Sequence, residues 1–358
     1  MIMNTNDLVA NLEKSIRENV RWPMTIMEVC GTHTQAIFAS GIRSLVPKNL
    51  KIISGPGCPV CVTSQNDIER MIKLSKQNKV VVCTFGDMMR VPGSTGSLSK
   101  SRSDGADIRV MYSPFDVIAW ARREPQKEFI LIGIGFETTA PGFALTIKKA
   151  KELGIKNLSL FSLHKTVPEA LRTLAKSPTV KIDGLLLPGH VSAIIGVKPY
   201  QFISSEFGLP GVISGFEGLD ILIALSDLTR VITDKKPIII NTYKRIVHNE
   251  GNIIAQDLLA NVFKPHDAIW RGIGVIPLSG LTLSSEFEDM DVEEKFDLEV
   301  PDCPEPIGCR CGEVILGAVT PPECSLFRKV CTPSNPIGPC MVSFEGTCSA
   351  YFKYHVEE

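Results

Sequence analysis

The sequence predicts an α/β protein: two related parallel-sheet units followed by a third, cysteine-rich domain. Three observations predict it. Short β-rich runs alternate with amphipathic stretches from Thr25 to about Arg230, nearly every unusual motif follows directly on one of those runs, and seven of the eleven cysteines fall between Cys303 and Cys348.

In order along the chain, the opening MIMNTNDLVANLEKSIRENVRWP has Asp7, Glu13 and Lys14 where an export signal needs an unbroken apolar stretch, and reads as an amphipathic helix. Strands are expected at 25–29, 51–54, 80–84 and 108–111. Between the second and third, Ile68, Met71, Ile72 and Leu74 form the apolar stripe of a helix over 65–76. Four more strands follow at 129–133, 158–161, 184–187 and 212–214, separated by helical stretches near 141–153, 166–176, 190–196 and 217–230. The charged, proline-bearing RREPQK at 122–127 reads as an exposed connection, so domain boundaries are expected at 24–123 and 124–234. The repeated order, and a likeness of VCGTHTQ to IGFETTA, suggest a duplication. After Lys235 the rhythm gives way to the acidic EFEDMDVEEKFDLEV and a Cys/Pro/Gly-rich tail. Residues 1–23 and 235–358 are assigned to the third domain, whose tail needs metal binding to replace missing apolar burial.

Composition narrows the function. A 44% apolar, 22% charged chain of 358 residues is globular rather than disordered. With 38 basic and 39 acidic residues it has no basic field for nucleic acid. Apolar runs such as 129–135 are less than half the roughly 20 residues that span a bilayer, so a cytoplasmic protein without a membrane partner is expected. Eleven cysteines in a reducing compartment favour metal or thiol chemistry over structural disulfides.

CGTHT, GPGCPVC, TFGDMMRVPG, GFETTAPG, LPGHVS and SGFEG all begin at predicted strand ends, where open parallel sheets bind ligands. In GPGCPVC a tight turn precedes Cys58 and Cys61, and a following helix would aim its amides at the thiols. That suits redox or transient metal chemistry, with a structural role as the plainer reading. Cys30, with Gly31, Thr32 and His33 after it, is a thiolate candidate, although a lone cysteine is often a small core residue. Glu137, Thr138 and Thr139 open a helix, as a cap or as ligand-orienting groups. His190 and His164 are more ordinarily structural, as are Asp87, Glu217 and Asp220, and Cys83 belongs to a core strand. With no histidine among Cys303, Cys309, Cys311, Cys324, Cys331, Cys340 and Cys348, the tail favours an all-thiolate site, either zinc or iron–sulfur.

Taken together, CGTHT, GPGCPVC, GFETTAPG, LPGHVSAIIG, SGFEGLDIL and the tail CxCGEV...CSLF...CTPSNPIGPCMVSFEGTCSAYFKY resemble the hydrogenase maturation factor HypD family, in the family's order, from about residue 24 to the end of the sequence. The resemblance implies a redox-active metallocofactor assembly scaffold and leaves open whether it turns over as an enzyme. With the small chaperone HypC, and with cyanide from HypE, it assembles the Fe(CN)2CO moiety of nickel–iron hydrogenases on two related α/β domains and a third holding a 4Fe-4S cluster. It implies that Cys30 holds the iron together with a HypC cysteine, with His33 beside it, and that Cys58 and Cys61 are a redox pair. Glu137, Thr138, Thr139 and His190 would line the assembly cleft. The implied cluster ligands are Cys324, Cys331 and Cys348 with either Cys309 or Cys311, leaving Cys340 and Cys303 spare. The rival readings are a stand-alone thiol–disulfide oxidoreductase with a structural zinc tail, and an interaction platform whose loops bind partners alone.

Overall fold

Runs such as VVVCT and EFILIG are apolar along their whole length, which is the pattern of parallel strands covered on both faces. In the computed structural model, which describes residues 5–177 and 180–355, all eight expected strands form within one residue of the predicted ends. They are β1 (Met24–Glu28), β2 (Leu50–Ser54), β3 (Val80–Thr84), β4 (Asp107–Val110), β5 (Glu128–Gly133), β6 (Leu158–Ser162), β7 (Gly184–Pro188) and β8 (Gly211–Ser214). Three others follow: β9 (Ile239–Asn241), β10 (Phe263–Trp270) and β11 (Gly274–Leu283).

The strands form two parallel sheets, ordered β2-β1-β7-β8-β9 and β4-β3-β5-β6. Both therefore share the doubly wound order 2-1-3-4. The connectivity differs from the expected division at residues 123 and 124. That point falls between β4 and β5, in one sheet, while β1, with β2 on its other edge, pairs with β7 across the whole intervening unit. The second sheet is thus inserted between β2 and β7 of the first. The RREPQK connection is tied down rather than loose, because Glu124 and Lys127 join Arg109 and Asp107 in an ion-pair network.

The terminal segments also divide differently from the expectation. Helix Thr5–Asn19 lies on helix Gly218–Thr233, where Ser226 donates to Ser15 at 3.0 Å, and its Ile16 is buried with Ile26, Leu186, Ile221 and Leu228 in the core behind the first sheet. The N-terminal helix therefore belongs to the first sheet and not to the tail. Helix Ile253–Val262 and the antiparallel hairpin β10–β11 cover the second sheet, with Leu281 N–H donating to His164 O at 3.2 Å. The tail supplies only short helices, and its Val314, Met341 and Tyr351 join Met27, Ile53, Ile130 and Leu187 in a core shared with both sheets. Among the described residues no helix is long and apolar enough to cross a membrane.

Candidate thiol and metal site

Ligand crevices in doubly wound sheets open where strand order reverses, beyond the carboxyl ends. In the first sheet this is the gap between β1 and β7, followed by Cys30–His33 and by Gly189–His190. In the second it lies between β3 and β5, followed by Phe85–Asp87 and Gly135–Thr139.

Cys30 caps helix Gly31–Ala39 in an extended conformation and is buried. Glu28, fully buried at the end of β1, fixes its backbone: one carboxylate oxygen accepts the Cys30 N–H at 3.0 Å and the other accepts the Thr34 hydroxyl. Burial pushes the Cys30 thiol up to about 12, with the charges of Glu345 and Glu28 adding to the effect against the His33 and Thr32 amides. Burial thus favours the protonated thiol over the thiolate. Burial likewise raises Glu28 to about 7. His33 is held neutral, lowered to about 4 by burial. Its Nε2–H donates to Gly215 O at 2.9 Å, leaving a lone pair on Nδ1, which has no partner among the described residues. His33 and the exposed His190 each stack with Phe216, at 4.7 and 3.8 Å between centroids.

The GPGCPVC loop lies directly on this turn. Gly31 N–H donates to Gly57 O at 3.0 Å, and a Cβ on Gly57 would sit 2.3 Å from Cys30 N. Cys58 and Cys61 are disulfide-bonded, and Cys58 Sγ accepts the Cys61 N–H at 3.2 Å. The Gly57→Ala protein is expected to lose about 2–3 kcal/mol of stability by overpacking backbone against backbone, read as a lowered thermal midpoint. An unchanged midpoint would show that the two loops separate easily.

The tail closes over the same rim. Glu345 accepts the Thr32 hydroxyl at 2.8 Å, Gln35 donates to Phe344 O at 2.5 Å, and helix Thr347–Tyr354 meets helix Gly31–Ala39 through a Phe38–Tyr351 edge contact. Cys309, Cys311, Cys324, Cys331 and Cys348 line one small cavity with Val314, Leu326, Phe327 and Arg310, the last paired with Glu313. The sulfurs of Cys311, Cys340 and Cys348 also lie within 4.8 Å of one another, which brings in a cysteine that spacing had left spare. Cys311 keeps its proton and, through its hydrogen bonds, holds Cys309 and Cys340 below the usual thiol range. Cys303 lies elsewhere, beside Ser94. The helix Pro59–Val62 that contains Cys61 touches both Cys311–Ile315 and Pro339–Val342, so the CxxC pair lies between Cys30 and the tail cysteines.

Glu137 faces this region from the second sheet. Its Oε1 accepts the Val167 N–H at 2.9 Å, its buried Oε2 has no partner among the described residues, and burial raises it to about 7. The buried Tyr200 senses both Glu137 and Cys30, whose charges add to the burial that raises its phenol. Thr138 is exposed and Thr139 makes no side-chain cap, packing against Gly135 instead. His164 lies in the second sheet's core against Phe143, and Asp220 is paired with Arg245 at 2.6 Å.

Because a folded-state pKa of about 7 exceeds the ordinary 4.5, Glu137 favours the folded chain fully below pH 4.5, and that contribution is lost as pH rises through 7. Glu137→Gln, which keeps the Val167 bond, should therefore gain up to about 3 kcal/mol on the parent between pH 5 and pH 8. Thermal midpoints of the pair at both pH values check this; an identical gap at each would refute it.

Two doubly wound sheets whose switch-point loops converge on cysteines, with a cysteine-lined tail closed over them, define a thiol-rich scaffold with a candidate metal centre. The HypD family model, described as the hydrogenase formation hypA family, matches residues 5–355. The chain is 42% identical over 351 residues to the hydrogenase maturation factor HypD of Rhodobacter capsulatus, covering 97% of this chain and 93% of that one. It is 42% identical over 340 residues to the factor of the same name in Escherichia coli K12, covering 94% and 90%, and 41% identical over 355 residues to that of Cupriavidus necator, covering 97% and 93%. The chain belongs to the HypD family, and its role is in hydrogenase maturation.

Proposed function

We propose that this protein is the scaffold on which the Fe(CN)2CO fragment of a nickel–iron hydrogenase is assembled, with a HypC-type chaperone as partner and a HypE-type protein as cyanide donor. The carrying observation is the contiguity of Cys30, the Cys58–Cys61 loop and the tail cysteines around one rim. The iron is substrate here. A ferrous ion supplies the positive charge that Cys30 lacks among Glu28 and Glu345, so binding displaces the thiol proton and leaves a thiolate ligand. His33 Nδ1 offers a second, neutral donor or an acceptor for an incoming group. Soft sulfur donors suit an iron that takes up cyanide and carbonyl.

The tail cavity fits a thiolate-held group: five cysteines, three apolar side chains and the cationic Arg310 line it, with no carboxylate among them. Cys324, Cys331 and Cys348 with Cys309 or Cys311 would hold a 4Fe-4S cluster. Such a cluster supplies one-electron chemistry when bound. The Cys58–Cys61 disulfide takes up two electrons and two protons to become a dithiol, and gives them back on reoxidation. Phe216 stacks on both His33 and His190 beside the Cys30 turn, while Tyr200, from the β7–β8 connection of the same sheet, lies within electrostatic range of Cys30 and of Glu137 in the second sheet.

Metal analysis of anaerobically purified protein tests this reading against the oxidoreductase with a zinc tail. About four irons with acid-labile sulfide are expected; one zinc without sulfide would favour the oxidoreductase.

A further inference from the structure

The turn between β10 and β11 buries a cation outside the rim described above. Arg271 has a side chain with no exposed surface. Its backbone N–H donates to Val62 O at 2.9 Å, its Nε to Thr63 O at 2.9 Å and its Nη2 to Gln65 Oε1 at 3.0 Å, so it grips the residues that end the Cys58–Cys61 helix. Its Nη1 makes no hydrogen bond among the described residues and faces Glu305 Oε2 at 3.8 Å, on the loop that leads to Cys309. The next residue, Gly272, has a φ of +74° and lies so near the backbone of Gly312 that a Cβ would meet its Cα at 2.3 Å. One turn is therefore seated on the CxxC helix and on the Cys309–Gly312 segment together.

A guanidinium is costly to bury without full pairing. Glu305 lies beyond hydrogen-bond reach of Nη1 and is itself partly exposed, so it compensates the charge incompletely. The Gly272–Gly312 contact sets Arg271 beside the backbone that carries Cys311, and Glu305 stands on the loop that leads to Cys309, so both adjoin the tail cavity. A set of thiolates there, carrying net negative charge, completes the pairing that Nη1 lacks.

We infer that Arg271 is a positioning residue that supplies the buried counter-charge of the tail's thiolate centre and ties that centre to the Cys58–Cys61 helix. The inference rests on the proposed tail centre and deepens it, and Glu305 is its antagonist. Nothing in the motif pattern singled out either residue.

The test uses the full chain, reconstituted anaerobically with iron and sulfide, as the parent and as R271Q, R271K and E305Q. The midpoint potential of the centre is expected to fall in R271Q, to stay near the parent in R271K and to rise in E305Q, because losing a nearby positive charge disfavours the added electron and losing a negative one favours it. Equal potentials in R271Q, E305Q and the parent would overturn the inference. If R271Q does not fold, R271K and the partly exposed E305Q still decide it by the same signs. If the parent takes up no iron with sulfide, the cluster reading fails on its own. Arg271 is then judged by Cd2+ titration in a Cys30→Ser, Cys58→Ser, Cys61→Ser background. There R271Q is expected to weaken Cd2+ binding about tenfold and E305Q to tighten it, and matched affinities would overturn the inference.

Discussion

Cys331→Ala is expected to remove the metal centre of the tail and to loosen the closure over Cys30. Cys331 lines the cysteine cavity, its sulfur accepts the Ile337 N–H at 3.4 Å, and it is buried among Phe327 and the other tail residues. Few regular elements hold this segment, so the binding free energy of a metal held there would be a large part of its folding free energy. The variant should lose nearly all tail metal and its thiolate-to-metal absorption. Because Glu345 and Phe344 belong to the same tail, the bonds to Thr32 and Gln35 should weaken too, making Cys30 more reactive toward an alkylating agent. Optical spectra, metal analysis and alkylation followed by mass spectrometry read these effects. An unchanged absorption spectrum would reject Cys331 as a ligand.

Cys30→Ala is expected to have the opposite profile: an intact fold, an intact tail centre, and no retained iron–cyanide–carbonyl cargo. The backbone bond from residue 30 to Glu28 survives the change, and a buried thiol becomes a methyl with little cost to packing. With the proton-releasing sulfur gone, the acidic surroundings of Glu28 and Glu345 cannot replace a soft ligand. Infrared spectra of the variant co-purified with its chaperone partner should lack the cyanide and carbonyl bands expected of the parent. Bands of equal strength in the variant would place the cargo elsewhere.

These expectations mix what was legible in the sequence with what was not. Strands such as Val80–Thr84 and Glu128–Gly133 are covered on both faces, so their β-branched runs announced them. The hairpin Phe263–Leu283 was missed because its first strand breaks period-two alternation with the run Lys264, Pro265, His266 and Asp267, and a proline there argues against a strand. The insertion of one sheet into the other was invisible because it rests on the pairing of β1 with β7, a long-range choice that no local pattern records. The loops at the strand ends were legible as a rim from glycines and cysteines alone. The raised Cys30 thiol was not, since it comes first from burial in the fold and then from Glu345, near the far end of the sequence. Cys340 escaped because cysteine spacing says nothing of a turn that brings it to Cys311 and Cys348.

The most direct measurement is combined infrared spectroscopy and metal analysis of the unaltered chain, isolated anaerobically with its small partner. About four irons and matching sulfide, together with one further iron bearing cyanide and carbonyl stretches, are predicted. A single zinc, no sulfide and a silent infrared window would contradict the account.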